Sequence, residues 1–197
     1  MVESYLNLTV KTLRMLKWTQ DNCREAKFLI KLDDDVHVNV RKLLKFLQDV
    51  PEDEAGNLIA GYKYERVRID TNPLSKWYIP AFLWPQMELP YFAAGFFYIL
   101  GVDAVPKLYN ASLRTAHLFH LEDVFLTGIV GTNTLSMEIV HIPEIQRFWT
   151  PYLKLITTCD AFHNFMAVHL SDQDLRCWNQ FNSESFSCGW KPLFLVC

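Results

Sequence analysis

Three consecutive carboxylates, Asp33, Asp34 and Asp35, close a short apolar run within residues 26–39, AKFLIKLDDDVHVN. Adjacent acids repel one another unless a proton or a cation intervenes, and their hard oxygens suit Mg²⁺ or Mn²⁺, ions that commonly bridge to substrate phosphates. Asp33 and Asp35, two apart at a strand end, can point toward one site. A solvated acidic turn is the plain alternative for a bare D-x-D. An EF-hand loop is excluded, because residues 36–39 lack the glycine that its sharp turn requires. A phosphatase with a strand-terminal aspartyl nucleophile shares the D-x-D pattern and stays open as a different enzyme class.

A second acidic pair, Glu122 and Asp123, follows His117 and His120 and leads into the apolar residues 124–131. Near a helix N-terminus such a pair stabilises the helix dipole. The chemical alternative is that one acid faces a cleft as a general base. His169 stands alone in the sequence, as do His141 and His163, and a lone imidazole is more often structural than a metal ligand.

The elements that must position these groups alternate in type. Ser4 can cap a helix with Leu6, Val10, Leu13 and Leu16 on one face, ending near Asp21. Residues 28–30 and their neighbours read as a buried strand with the three acids at its carboxyl end, the edge where open α/β sheets bind ligands. Asn39 caps a second helix with Val40, Leu43, Leu44 and Leu47 on one face, stopped by Pro51. Helix, strand, helix implies an α/β sandwich with a partly parallel sheet.

Residues 51–57 read as a polar turn, 58–62 as the next strand, and 63–70 as edge strand or loop. Residues 71–90 hold four of the nine prolines with Trp77, Tyr78, Phe82 and Trp84, which argues for an ordered loop whose aromatic rings either pack inward or line a cleft for sugar rings. Residues 91–100 read as a buried strand interrupted at Gly95, where the missing side chain admits a ligand or another backbone. A short helix follows at 103–109 and a strand at 136–141, then an aromatic irregular stretch over 147–165. Ser171 and Asp174 open a last helix on which Leu175, Trp178 and Phe181 pack. No repeat or linker divides the chain, so 1–197 reads as a single domain.

Composition excludes some classes. Half of the 197 residues are hydrophobic, enough for a sizeable core, and a net charge of −3 offers no basic footprint for nucleic acid. The longest apolar run, residues 91–102, is too short to span a bilayer, and no signal peptide is expected. Five cysteines, Cys23, Cys159, Cys177, Cys188 and Cys197, show no zinc spacing. Together with the sequons Asn7-Leu8-Thr9 and Asn110-Ala111-Ser112 they lean toward a secretory lumen.

In order, these pieces resemble the β1,3-glycosyltransferases of glycosyltransferase family 31, which includes galactosyl- and N-acetylglucosaminyltransferases. SYLNLTVKTL at residues 4–13 is similar to the family's helix with its built-in sequon, and residues 23–39 to its C-x-x-A-k-f-x-x-K-x-D-D-D-x-x-V-N block. Trp77-Tyr78 and Pro90-Tyr91 with Gly95 fall in the family's aromatic region. EDVFLTG at residues 122–128 resembles its E-D-V signature, and VHLSDQDLRCWN at 168–179 its closing block. The chain departs at residues 93–98, AAGFFY, where members have Cys-Ser-Gly-x-Gly-Tyr.

The resemblance implies a GT-A-like fold, a Rossmann-type mixed sheet flanked by helices. It also implies a UDP-sugar donor, a divalent metal (Mn²⁺, or Mg²⁺) and inverting transfer to a hydroxyl of a glycan acceptor in the Golgi. By position, Asp33, Asp34, Asp35 and Lys31 become the donor-binding set, Asp33, Asp35 and His169 the metal ligands, and Asp123 the catalytic base with Glu122 beside it. Members also carry a cytosolic tail, a membrane anchor, a stem and an opening strand upstream. With Met1 almost at the first helix, this chain is expected to lack them, and a non-catalytic sugar-nucleotide or glycan-binding remnant is the alternative from another class.

Overall fold

The computed structural model describes residues 4–23, 25–147 and 165–169, and the chain forms two compact units. One consists of Met1–Lys31 with Pro51–Ile142, the other of Leu32–Val50 with Pro143–Cys197.

In the first unit Ser4 caps as expected, its side chain accepting from the Leu6 amide to open a 3₁₀ turn, Tyr5–Asn7, that runs into α1, Leu8–Asn22. The buried stripe of α1 differs from the apolar one anticipated: it is Thr9, Thr12, Leu13, Leu16 and Thr19, while Leu6 is exposed. Threonines can face a core when their hydroxyls are satisfied, and that of Thr9 donates to the Phe119 carbonyl.

The central sheet has the order β1-β4-β3-β5, from β1 (Phe28–Leu32), β4 (Phe92–Gly101), β3 (Ile59–Tyr64) and β5 (Ile139–His141). β3 pairs antiparallel with β4, Ile59 opposite Leu100, with a register shift between Gly61 and Lys63. It pairs parallel with β5, Ile59 opposite Ile139, so the sheet is mixed. β4 is continuous through Gly95 rather than interrupted there, and it is buried along nearly its whole length, as its unbroken apolar run requires.

Helix α4, Ala104–Ser112, packs on α1, and a π-helix, Val124–Thr134, packs on β4 and α4. The core between them includes Leu16, Ile59, Tyr98, Leu108 and Phe125. An ordinary helix was expected over 124–131. In the wider turn observed, threonine hydroxyls bond back to carbonyls four or five residues earlier: Thr127 to Asp123, Thr132 to Gly128 and Thr134 to Ile129. The loop between β3 and β4 is irregular, as its prolines require. It is pinned by backbone bonds from Leu89 to Val67 and from Ile79 to Asp70, with Trp84 turned in against Phe119 and Phe82 left exposed.

The second unit carries a sheet of order β2-β7-β6, from β2 (Val36–Val38), β7 (Ala167–His169) and β6 (Ile145–Arg147). β2 and β7 run antiparallel with Val36 opposite His169, and β6 runs parallel to β7. Asn39 caps α2, Val40–Asp49, by accepting from the Lys42 amide, and the helix stops before Pro51. Of its expected apolar face Leu43 is buried, whereas Val40 and Leu44 are exposed. The one-turn α3, Glu52–Ala55, replaces the expected turn at the start of 51–57 and belongs to the first unit. Both units are mixed α/β with sheets and flanking helices, the class anticipated. His163, Cys159, Cys177, Cys188, Cys197 and the helix expected from Ser171 lie outside the described residues.

Candidate active site

Asp123 is the cap of the π-helix, and both of its carboxylate oxygens are held. Oδ1 accepts from the Val124 amide at 2.8 Å and Oδ2 from the Gly95 amide of β4 at 2.9 Å. The residue itself is half-buried. Burial raises its pKa, a rise opposed by those two amides and by the charge of Lys31. The chain can bring strand and acid this close because position 95 is glycine: a Cβ there would stand 2.8 Å from Oδ2. Gly128 does the same one helical turn on, where a Cβ would press Pro90, Phe92 and Tyr91 at 3.1 to 3.2 Å.

Glu122 is 5% exposed and faces inward. Its Oε1 lies 3.2 Å from the Lys31 ammonium, and its Oε2 accepts from the Tyr98 hydroxyl at 3.1 Å. Burial pushes its pKa up to about 7, with the Asp123 charge adding to the rise and the Lys31 ammonium and Tyr98 hydroxyl working against it. Lys31 also donates to the Gly95 carbonyl, so its head group is shared between β4 and Glu122. Of the pair anticipated from the sequence, Asp123 is half-buried, while Glu122 is enclosed.

In the second unit the three acids form the turn between β1 and β2, closed by the Val36 amide on the Asp33 carbonyl. Asp34 is exposed, and Asp33 and Asp35 are half-buried. Strand pairing brings His169 to Asp35, its Nε2 3.0 Å from Oδ2. The other oxygen of Asp35, Oδ1, is buried with no hydrogen-bond partner among the described residues. A buried carboxylate oxygen without a donor is what a hard divalent cation would satisfy, so this carboxylate–imidazole pair fits Mn²⁺ or Mg²⁺. Among the described residues no three His, Cys, Asp or Glu side chains gather into a metal cage. Protein ligands that few suit an ion completed by water and substrate phosphates.

Tyr98, Gly95 and Thr127 were not singled out from the sequence as partners of the acids. Tyr98 and Gly95 are the positions of AAGFFY that keep the family's glycine and tyrosine, and they are the two that touch Glu122 and Asp123.

Each unit is mixed α/β, and each carries one of the two acidic groups expected from the sequence, Asp123 at a helix start in the first and the acidic turn in the second. A family model described as galactosyltransferase matches residues 1–143, and the chain belongs to this family. It is 31% identical over 189 residues to mouse beta-1,3-galactosyltransferase 1, covering 93% of this chain and 54% of the relative. It is 34% identical over 125 residues to zebrafish (Danio rerio) lactosylceramide 1,3-N-acetyl-beta-D-glucosaminyltransferase B, covering 64% of this chain and 33% of that one. The zebrafish A form matches at 31% over 175 residues, 89% and 45% of the two chains. The chain thus spans about half the length of the curated relatives it matches.

Proposed function

We propose that this domain serves an inverting β1,3-glycosyltransferase that moves a hexose from a UDP-sugar to a hydroxyl of a glycan acceptor in the Golgi lumen. The observation that carries the reading is the carboxylate of Asp123, held on two backbone amides at a helix start by a residue that is half-buried. Each oxygen accepts one amide and keeps lone-pair capacity for a proton. Its raised pKa makes it a stronger base than an ordinary aspartate, in the direction general-base work requires.

In this reading Asp123 takes the proton of the acceptor hydroxyl as that oxygen forms its bond to the anomeric carbon. The bond from that carbon to the UDP oxygen breaks on the opposite face, so configuration inverts. Asp35 with His169 would hold a divalent cation, and through that cation the acidic turn would meet the donor's diphosphate end. When bound, such a cation supplies neutralisation of the charge that develops on the departing diphosphate.

The test is Asp123→Asn, assayed with UDP-galactose and UDP-N-acetylglucosamine in Mn²⁺ on simple β-glycoside acceptors. Turnover should fall by about 10² to 10⁴ while donor affinity stays within about twofold, since a base is removed and no donor contact is. Near-parental turnover would remove Asp123 from the role. Donor binding without turnover in the parent chain would instead favour a sugar-nucleotide-binding remnant.

A further inference from the structure

The enclosed charges beside Asp123 have no task in the reaction just described. Lys31, Glu122 and Tyr98 come from β1, the residue before the cap of the π-helix and β4, and each touches another: ammonium to Glu122 Oε1 at 3.2 Å, hydroxyl to Oε2 at 3.1 Å, and ammonium 5.9 Å from the Tyr98 ring centroid. Burying an acid and a base is costly, and a strand end could be packed with apolar groups at less cost. The arrangement becomes intelligible at Gly95. Lys31 donates to the Gly95 carbonyl, and the Gly95 amide donates to Asp123 Oδ2. Glu122 is covalently next to Asp123, and Tyr98 lies three residues from Gly95 on the same strand. The network therefore grips the base from both sides, through its chain neighbour and through the amide that binds it.

We propose that Lys31, with Glu122 and Tyr98, is a positioning residue for Asp123, fixing the Gly95 backbone and the helix start so that the carboxylate meets the acceptor hydroxyl in one orientation. The proposal rests on the reading of Asp123 as base and departs from the assignment of Lys31 to the donor that its place two residues before Asp33 suggests. The charges and hydroxyl facing Glu122 are Lys31 from β1, Tyr98 from β4 and Asp123 from its own segment. A cation at Lys31 is needed for two jobs at once, neutralising Glu122 and donating to Gly95, and methionine of similar reach does neither. Arginine restores the charge and the donor capacity with a different fork. The effect on turnover should resemble that of a misplaced base, because small displacements of a catalytic group cost rate without costing substrate affinity.

The test uses Lys31→Met, Lys31→Arg and Tyr98→Phe in the full chain, with Asp123→Asn as reference. With UDP-galactose and UDP-N-acetylglucosamine in Mn²⁺, Lys31→Met should lower kcat by about tenfold or more with donor KM unchanged within about twofold, Lys31→Arg should recover most of it, and Tyr98→Phe should lose a few-fold. A rise in donor KM at parental kcat in Lys31→Met would overturn the proposal in favour of donor binding while leaving Asp123 as base. An unaffected Asp123→Asn would instead overturn the underlying reading. A second measurement needs no turnover: the Gly95 amide resonance, followed by NMR against pH, reports ionisation of the carboxylate it binds. Its midpoint should move to higher pH in Lys31→Met and return in Lys31→Arg. A midpoint that stays put in Lys31→Met, or a Lys31→Arg that behaves like Lys31→Met, would overturn the proposal. If Lys31→Met does not fold, parental kcat and an unmoved Gly95 midpoint in Tyr98→Phe overturn it as well.

Discussion

Gly95 and Asp123 meet as backbone amide and carboxylate at 2.9 Å, and the space between them excludes even a methyl group. A Cβ at position 95 would lie 2.8 Å from Oδ2 and 3.0 Å from Cγ of Asp123. Gly95→Ala should therefore push the carboxylate off the amide. The expected stability cost is about 1 to 3 kcal/mol, typical of overpacking, with turnover falling about tenfold or more because the base is moved. Thermal melts and kcat on the variant check both, and a variant with parental activity would show that the acid finds the same position without that amide.

Much of this arrangement was legible in the sequence, and the part that was not has a physical reason. The Asn39 cap, the strand ending in three acids and the acidic helix start follow from local rules and appear where expected, although β1 is half-buried with Leu32 exposed rather than the buried strand its apolar run suggested. The role of Lys31 does not, because its partner Gly95 is 64 residues away and only the pairing of β1 with β4 brings them together. On α1 the expected Leu13 and Leu16 are buried, and the threonines beside them were missed for a different reason. Thr9, Thr12 and Thr19 score as polar, yet a hydroxyl with a carbonyl to bond can sit in a core, and Thr9 finds one in Phe119. The wider turn of the π-helix is accompanied by threonines bonding to earlier carbonyls, a pattern that apolar periodicity does not register.

Glu122 gives the fold a pH dependence whose sign is fixed by its surroundings. Its value in the folded chain, about 7, lies above the ordinary 4.5, so its contribution to stability is complete below about 4.5 and is lost as pH rises through 7. Glu122→Gln removes that proton linkage. Between about pH 5 and pH 8 the parent should lose up to about 3 kcal/mol more than the variant. Urea melts at the two pH values check this, and parallel losses would place the proton elsewhere.

The Asp35–His169 pair should respond to metal before any substrate is added. A cation that binds only the folded chain stabilises it by mass action, about 2.7 kcal/mol at one hundred times its Kd, so Mn²⁺ should raise the Tm of the parent. Asp35→Ala removes both the orphaned Oδ1 and the Oδ2 beside His169, and it should abolish the Mn²⁺-dependent rise and the metal-dependent binding of UDP-sugar. Calorimetry with the same metal dependence in Asp35→Ala would move the cation site away from this turn.

Thr127 ties the helix that carries Asp123 to the strand beneath it. Its hydroxyl donates to the Asp123 carbonyl at 2.6 Å and accepts from the Ala93 amide at 3.0 Å, and the side chain is fully buried. Thr127→Val keeps the volume and removes both bonds, leaving the buried Ala93 amide without its acceptor. The expected loss is about 1 to 3 kcal/mol, the usual penalty for an orphaned buried donor. Thr127→Ser keeps the hydroxyl and gives up one methyl, which should cost about 1 kcal/mol. Because the hydroxyl holds the backbone carbonyl of Asp123 and not its carboxylate, Thr127→Val should lower Tm while kcat, measured well below the melting range, changes only a few-fold. A Thr127→Ser variant as unstable as Thr127→Val would mean that the methyl, not the pair of hydrogen bonds, secures the helix to β4.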